Sequence, residues 1–405
     1  VETRTRGPLT YPQFWWVWAG ESVAILGDVS FLVGFSWLIL DLANAATLGA
    51  VLLTVGIPRG VLMLVGGALT DRFSPRTVMF VSHIARGLAV AALTALFLTG
   101  TLAIWHLFAI GLVFGVADAF FWPASVSIIP TLVPREHLAR ANALAGSGEQ
   151  FARLAGPLIG GALVSLGGLG WVFGLNVFAM FFAAASLLRV RRVVPEDQEQ
   201  LSVRGVLRQI RSGLAYAASS AETRIVVALI AAATLSYSGL FAVGLPALAK
   251  SFDSGPFVLG LMLSAWGLGQ LAGTLSASFT GLPQRWGLLI IGMTFLEGVS
   301  FAVLGVVPHY LVAVVLLALL GFGVAYSTDV ALPTFVQTTT PPEMLGRVSS
   351  VLELPRVVLE PVSMAMMGLL ATGDVRWAFV AAAIPMLAVS LTLASSRRAR
   401  NLRTA

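Results

Sequence analysis

The chain has 405 residues, of which 57% are hydrophobic and only 11% charged, with a mean hydropathy of +0.89. A soluble domain of that length needs far more polar surface, so the composition excludes an ordinary globular protein and indicates a polytopic membrane protein. The lack of cysteine excludes disulfides, thiolate metal sites and cysteine nucleophiles, and in such a chain the net charge of +6 reports topology rather than an anionic partner.

The chain opens polar, and its first apolar run is long enough to span, so no cleavable signal peptide is expected. Twelve apolar runs follow, at 14–40, 48–70, 77–98, 102–132, 142–166, 171–188, 225–249, 257–280, 286–307, 310–332, 348–371 and 377–394. The fourth exceeds what a bilayer needs, so it either tilts or ends near Pro123 or Pro130. None of the runs alternates in polarity, which excludes a β-barrel. The expected fold is an all-α polytopic membrane protein with twelve transmembrane helices in two six-helix halves, 1–190 and 224–405. A connection, 191–223, joins them.

Arginine sets the orientation. Arg4, Arg6, Arg72, Arg76, Arg135, Arg140, Arg285, Arg347, the C-terminal arginines and those of the central connection all fall on one side of this arrangement. The other side has only Lys250 and Arg376. By the positive-inside rule both termini and the connection face the cytoplasm. Trp15, Trp16 and Trp18 fall near the inner interface, and Trp37, Trp105, Trp171 and Trp377 near the outer one, as amphipathic rings prefer. Trp266 is placed mid-span and reads equally as helix packing or as a substrate-facing wall. In the connection, Arg204, Arg208 and Arg211 recur at helical spacing beside Val203, Leu207 and Ile210, predicting an amphipathic helix on the inner leaflet.

Two stretches carry motifs. The turn after the second run reads Gly67-Ala-Leu-Thr-Asp71-Arg72-Phe-Ser-Pro-Arg76. The second stretch begins as a charged turn at Val133–Arg140, takes Glu149 and Arg153 into an apolar helix, and reaches Gly156-Pro157-Leu-Ile-Gly160-Gly161. A weaker copy lies some 204–207 residues later, from Pro342-Glu-Met-Leu-Gly-Arg347 to Glu353, Arg356 and Glu360-Pro361, which points to a duplicated unit.

The first motif resembles the loop signature of the major facilitator superfamily, with Ser74 and Pro75 departing from its usual glycine and basic residue. The second, with Phe120-Phe-Trp-Pro-Ala124, Leu138–Leu144, Gln150, Phe335-Val-Gln337 and Pro342–Val348, resembles the branch of enterobactin, macrolide and multidrug exporters. The resemblance implies a transporter of two paired halves with its site near mid-membrane, an architecture for which the superfamily is itself a standard example. It also implies a conformational latch at Gly67, Asp71, Arg72 and Arg76, and close helix packing at Gly156, Pro157, Gly160 and Gly161.

Within the runs lie the acids Glu21, Asp28, Asp118, Glu149, Glu297, Asp329, Glu353 and Glu360, and the bases Arg59, Arg86, Arg153 and Arg356. Such residues are costly in hydrocarbon and should face the bundle interior with partners. Because acids outnumber bases, some carboxyls must rely on water or hydrogen bonds, or stay protonated, and a carboxyl that changes protonation between conformations is what proton coupling needs. Counting from the turns puts Asp28 and Arg59 at matching depth, predicting an ion pair, and puts Asp118 at a depth similar to that of Arg153. Asp28, Glu21 and Glu297 are therefore the proton-coupling candidates. Arg59, Asp118, Glu149, Arg153, Trp266, Glu353, Arg356 and Glu360 are candidates for the substrate cavity or for charge pairs. Glu149–Arg153 and Glu353–Arg356 read equally as self-neutralising structural pairs. Arg86 is expected to snorkel from the inner end of its helix, and Asp329 to lie within reach of the cytosol.

His83, His106, His137 and His309 are scattered without metal-binding spacing, and there is no phosphate loop or nucleophile elbow. The expectation is a non-enzymatic, metal-free and cofactor-free exporter in the bacterial inner membrane, driven by the proton gradient. Its partners would be an amphipathic small molecule such as a drug or antibiotic, protons and membrane lipids, with no nucleic acid; a monomer is expected. A lysophospholipid or siderophore transporter is the alternative within transport, and a non-transporting sensor or scaffold the alternative outside it.

Overall fold

The computed structural model describes residues 7–70, 74–191, 215, 220–280, 286–340 and 342–402, which form helices and no strand. The first six long helices are α1 (Pro12–Leu42), α2 (Ala45–Thr70), α3 (Pro75–Leu98), α4 (Ile104–Leu132), α5 (Leu138–Gly167) and α6 (Leu169–Leu187). Helix α7 (Ala221–Ser251) contains a π-helical segment at Leu240–Gly244. Then come α8 (Pro256–Thr280) and α9 (Trp286–Val306). Helix α10 runs from Tyr310 to Thr339 through a second π-helical segment at Ala325–Ala331. The last two are α11 (Pro342–Ala371) and α12 (Val375–Ser395). Among the described residues, eleven helices are long and apolar enough to cross a membrane; α5, with its more polar first half, is the twelfth of comparable length.

Local chemistry explains the helix boundaries. Helices α1, α3, α8 and α11 begin on a proline, whose fixed φ suits the first turn and whose missing N–H is not needed there. Asn44, Ser220 and Asp374 cap α2, α7 and α12 by accepting a backbone N–H through the side chain. Gly168, at φ +82°, ends α5 and starts α6 in a single residue, a backbone conformation that a side chain would strain. Helix α4 does not end at Pro123 or Pro130, as one of the two sequence alternatives held, but continues through both for 29 residues. A helix interior proline removes only one bond. The hydroxyls of Ser125, Ser127 and Thr131 also donate to carbonyls three residues back along this stretch.

The chain divides into two compact units. The first holds the chain up to Leu38 and Thr54–Val203; the second holds Ile39–Leu53 and the chain from Arg204 onward. In the first unit, Phe14, Met79, Ile128 and Leu187 form part of one apolar core. In the second, Trp286 stacks on Phe335 with ring centroids 3.8 Å apart, both fully withdrawn from solvent. Also in the second unit, Asp41 pairs with Lys250 at 2.8 Å, and the ammonium reaches the Leu40 carbonyl. Large apolar side chains stand out on the surface, with Leu166 and Phe279 almost fully exposed. Such a surface suits hydrocarbon, because lipid tails are as apolar as the side chains they touch.

Glycines set the closest helix approaches. A Cβ on Gly160 of α5 would lie 2.6 Å from the Ser30 carbonyl oxygen of α1, and one on Gly156 would lie 3.1 Å from Val29 Cβ. Ser30 Oγ donates to the Gly156 carbonyl at 2.8 Å across the same seam. The sequence comparison of the repeats, which finds no Gly-Gly in α11, suggests that close packing belongs to the first half alone. The second unit corrects this. There Gly239 sits on α7, its added Cβ would overlap the Ser363 carbonyl of α11, and its N–H donates to Ser363 Oγ at 2.8 Å. The small residue has moved to the partner helix, which a comparison of α5 with α11 cannot reveal.

Candidate functional site

In the first unit four helices bring polar side chains to one place. On α1, Glu21 and Asp28 are two turns apart and share a face; on α3, His83 and Arg86 are one turn apart, as are Asp118 and Phe121 on α4. Glu21 Oε1 lies 2.9 Å from His83 Nε2, and His83 Nδ1 lies 3.2 Å from Arg86 Nη2. Arg86 Nη1 donates to Asp28 Oδ2 at 3.0 Å and to Asp118 Oδ1 at 3.3 Å. From α6, Asn176 Nδ2 donates to Asp28 Oδ1 at 3.0 Å. The Phe121 ring meets His83 edge-on at 5.1 Å and lies 4.7 Å below the Arg86 guanidinium. A continuous polar chain thus runs from Glu21 to the Asp28–Asp118 pair. His83 is wholly buried and Arg86 only 4% exposed, while the three carboxylates keep some exposure. Two buried atoms of the cluster, Arg86 Nε and Asn176 Oδ1, have no hydrogen-bond partner among the described residues.

This arrangement overturns two expectations. Asp28 pairs with Arg86, not Arg59; Arg59 is half-buried and forms no ion pair among the described residues. Arg86 does not snorkel, because it neutralises two acids inside the unit. Asp118, for which the sequence gives only a depth, also meets Arg86, and Arg153 pairs with Glu149 on its own helix as their spacing of four leads one to expect, Nη2 to Oε1 at 2.9 Å. Counting from a turn gives depth along a helix but not the direction in which a side chain points. In the sequence His83 looks like an isolated histidine. Its spacing of three from an arginine within an apolar run was the signal that could have found it, and Asn176 offered none.

A cavity of about 370 Å³ lies between α1, α4 and α5. Glu21, Glu149 and Arg153 supply its charges, and Trp18, Phe121 and Trp122 its aromatic wall. Glu21 therefore belongs to both the cavity and the polar chain, and Phe121 stands between them. Trp18 is held by a hydrogen bond from Nε1 to the Leu144 carbonyl at 2.9 Å.

The second unit has a smaller polar centre. Glu297 of α9 is 3% exposed and accepts from Tyr237 Oη at 3.0 Å and from Ser327 Oγ at 3.4 Å. Tyr237 stands just before one π-helical segment and Ser327 within the other, so both irregular stretches adjoin the same carboxylate. π-Segments are rare and cluster at functional sites. Trp266 packs against Phe241 and Tyr237, at 4.5 and 5.7 Å, and remains partly exposed. Glu353 and Arg356 pair at 2.8 Å on the surface of α11, and Glu360 is half-buried and forms no ion pair among the described residues.

Of the latch residues, Gly67 lies near the end of α2, while Asp71 and Arg72 fall outside the described residues, as do Arg204, Arg208 and Arg211 of the connection. Arg76 caps the end of α6, donating to the Leu187 and Leu188 carbonyls at 2.7 and 3.4 Å.

With this geometry in hand, comparison with known proteins puts the chain among membrane transporters of the major facilitator type. Residues 3–400 match the transmembrane secretion effector family of that superfamily, and the chain belongs to it. It is similar to the enterobactin exporter EntS of Shigella boydii serotype 18, 29% identical over 310 residues, 76% of this chain and 72% of the relative. EntS of Shigella boydii serotype 4 is 28% identical over 350 residues, covering 85% and 80%. The fold is similar to that of a peptide transporter solved with sulfate, with a TM-score of 0.71 at 14% identity, covering 97% and 96% of the two chains. A bacterial homolog of the human lysosomal transporter Spinster gives 0.65 at 15% identity, with 96% of each chain covered.

Proposed function

We propose that this transporter is a proton-coupled exporter of amphipathic small molecules in the bacterial inner membrane, with both termini cytoplasmic and the monomer as working unit. The reading rests on one observation above all, the unbroken polar chain from cavity-lining Glu21 through His83 and Arg86 to Asp28 and Asp118. A proton gained or lost within such a chain changes the charge balance that holds α1, α3 and α4 together, and that is the element an exporter without an ATP site needs. The cavity has two acids, one base and an aromatic wall, which favours a cationic or zwitterionic cargo with an aromatic body. The turn from Gly67 to Arg76 serves as the conformational latch, and Glu297 is a second proton site in the other unit.

A siderophore cargo is the second reading, favoured by the similarity to EntS and by Arg153 in the cavity. Transport by everted membrane vesicles separates the two. Acid-inside vesicles should take up ethidium, and Asp28→Asn should abolish the dependence on the pH gradient. If enterobactin is moved and ethidium is not, the siderophore reading replaces the first. If Asp28→Asn leaves gradient-driven uptake intact, the coupling role of Asp28 is wrong.

A further inference from the structure

We propose that His83 is a proton-operated switch on Arg86, its charged form and its contact with Arg86 excluding one another. The inference rests on the proton-coupled reading above and deepens it. Arginine has N–H donors and no acceptor, so in the 3.2 Å contact between Arg86 Nη2 and His83 Nδ1 the imidazole nitrogen must accept. The ring proton therefore resides on Nε2, where it is donated to Glu21 Oε1 at 2.9 Å. Both nitrogens are committed, and the geometry assigns one neutral tautomer.

A proton that charges His83 can land only on Nδ1. It then faces the Arg86 guanidinium, donor against donor and cation against cation, and the contact breaks. The step makes one N–H bond with a proton taken from water and loses one hydrogen bond. Arg86 has somewhere to go. Its Nη1 alone serves both Asp28 and Asp118, and its Nε has no partner among the described residues, so a released Nη2 can take one carboxylate while Nη1 keeps the other. Histidine is the side chain suited to such exchange near neutral pH.

The surroundings favour a local effect. Helix α1 faces His83 with Glu21 and Asp28, α4 with Asp118 and the Phe121 ring, and α6 contributes Asn176 with no ionisable group. The charges on α5, Glu149 and Arg153, neutralise one another in the cavity. Charging His83 therefore acts on Arg86, and through it on the α1–α3–α4 contacts.

The test uses the whole protein in nanodiscs, labelled with ¹⁵N-histidine and ¹⁵N-arginine. The four histidines keep the spectrum simple, and His83→Asn assigns the signal. At alkaline pH, His83 should show Nε2 protonated and Nδ1 bare; on acidification both become protonated, and the Arg86 side-chain signals should move with the same midpoint. The opposite tautomer, or Arg86 signals indifferent to His83, overturns the switch. The chain has no cysteine, so spin labels on Ser147→Cys and Ser349→Cys report conformation without background. The distance distribution should shift with pH in the parent and not in His83→Asn; an equal shift in both overturns the proposal. If the spectra behave as expected but vesicle transport ignores the pH gradient, the proton-coupled reading fails and the switch stands. If gradient-driven transport survives in His83→Asn, the switch fails and that reading stands.

Discussion

Arg86 of α3 and Asp28 of α1 form an ion pair of 3.0 Å in which the guanidinium is almost wholly withdrawn from solvent. The same nitrogen serves Asp118, so one cation holds three helices at one level of the first unit. Isolating a carboxylate in such surroundings is costly, which makes Arg86 the keystone of the cluster.

Arg86→Gln is therefore expected to destabilise the protein by about 3–5 kcal/mol, the usual effect of breaking a buried pair from one side. Thermal unfolding in detergent micelles checks it. The double variant Arg86→Gln/Asp28→Asn should recover part of the loss, because one of the two stranded carboxylates is then removed.

Gly160→Ala should separate α1 from α5, since the new methyl would meet the Ser30 backbone rather than a movable side chain. Overpacking of this kind costs about 1–3 kcal/mol. Gly146→Ala on the same helix, with nothing within 4 Å of the added methyl, is the control and should be neutral or slightly stabilising. Equal melting temperatures for the two variants would contradict the seam.

In the second unit, Tyr237→Phe removes a hydroxyl that donates to buried Glu297. A stability loss of about 1–3 kcal/mol is expected, and Glu297→Gln should tolerate the same change better because its neutral amide needs less solvation. A double-mutant cycle measures the coupling, and a cycle summing to zero would remove the pair from the account.

Arg153 and Glu149 are half-exposed in the cavity, so their ion pair contributes only about 0–1 kcal/mol to stability. Arg153→Met should melt close to the parent temperature yet change cargo preference, lowering transport of anionic molecules relative to cationic ones. Unchanged preference with lowered stability would make the pair structural.

The sequence by itself determined the twelve helices, with all ends within about a turn except the end of α10 and the start of α11, which run six or seven residues further, as well as the family and the acids Glu21, Asp28 and Asp118 that the cluster uses. Those follow from local rules. Apolar run length sets a span, proline and glycine set its ends, and the helical period shows that Glu21 and Asp28 share a face. Only the tertiary structure decided what that face meets. Depth counting offers Arg59 and sets Arg86 at the inner end of its helix, yet packing among α1, α3, α4 and α6 aims Arg86 at Asp28 and Asp118. His83 and Asn176 entered for the same reason, as did the Glu297 partners on helices that π-helical segments interrupt. Depth can be read along one chain segment, but the direction a side chain faces around its helix acquires meaning only when the neighbouring helices are in place.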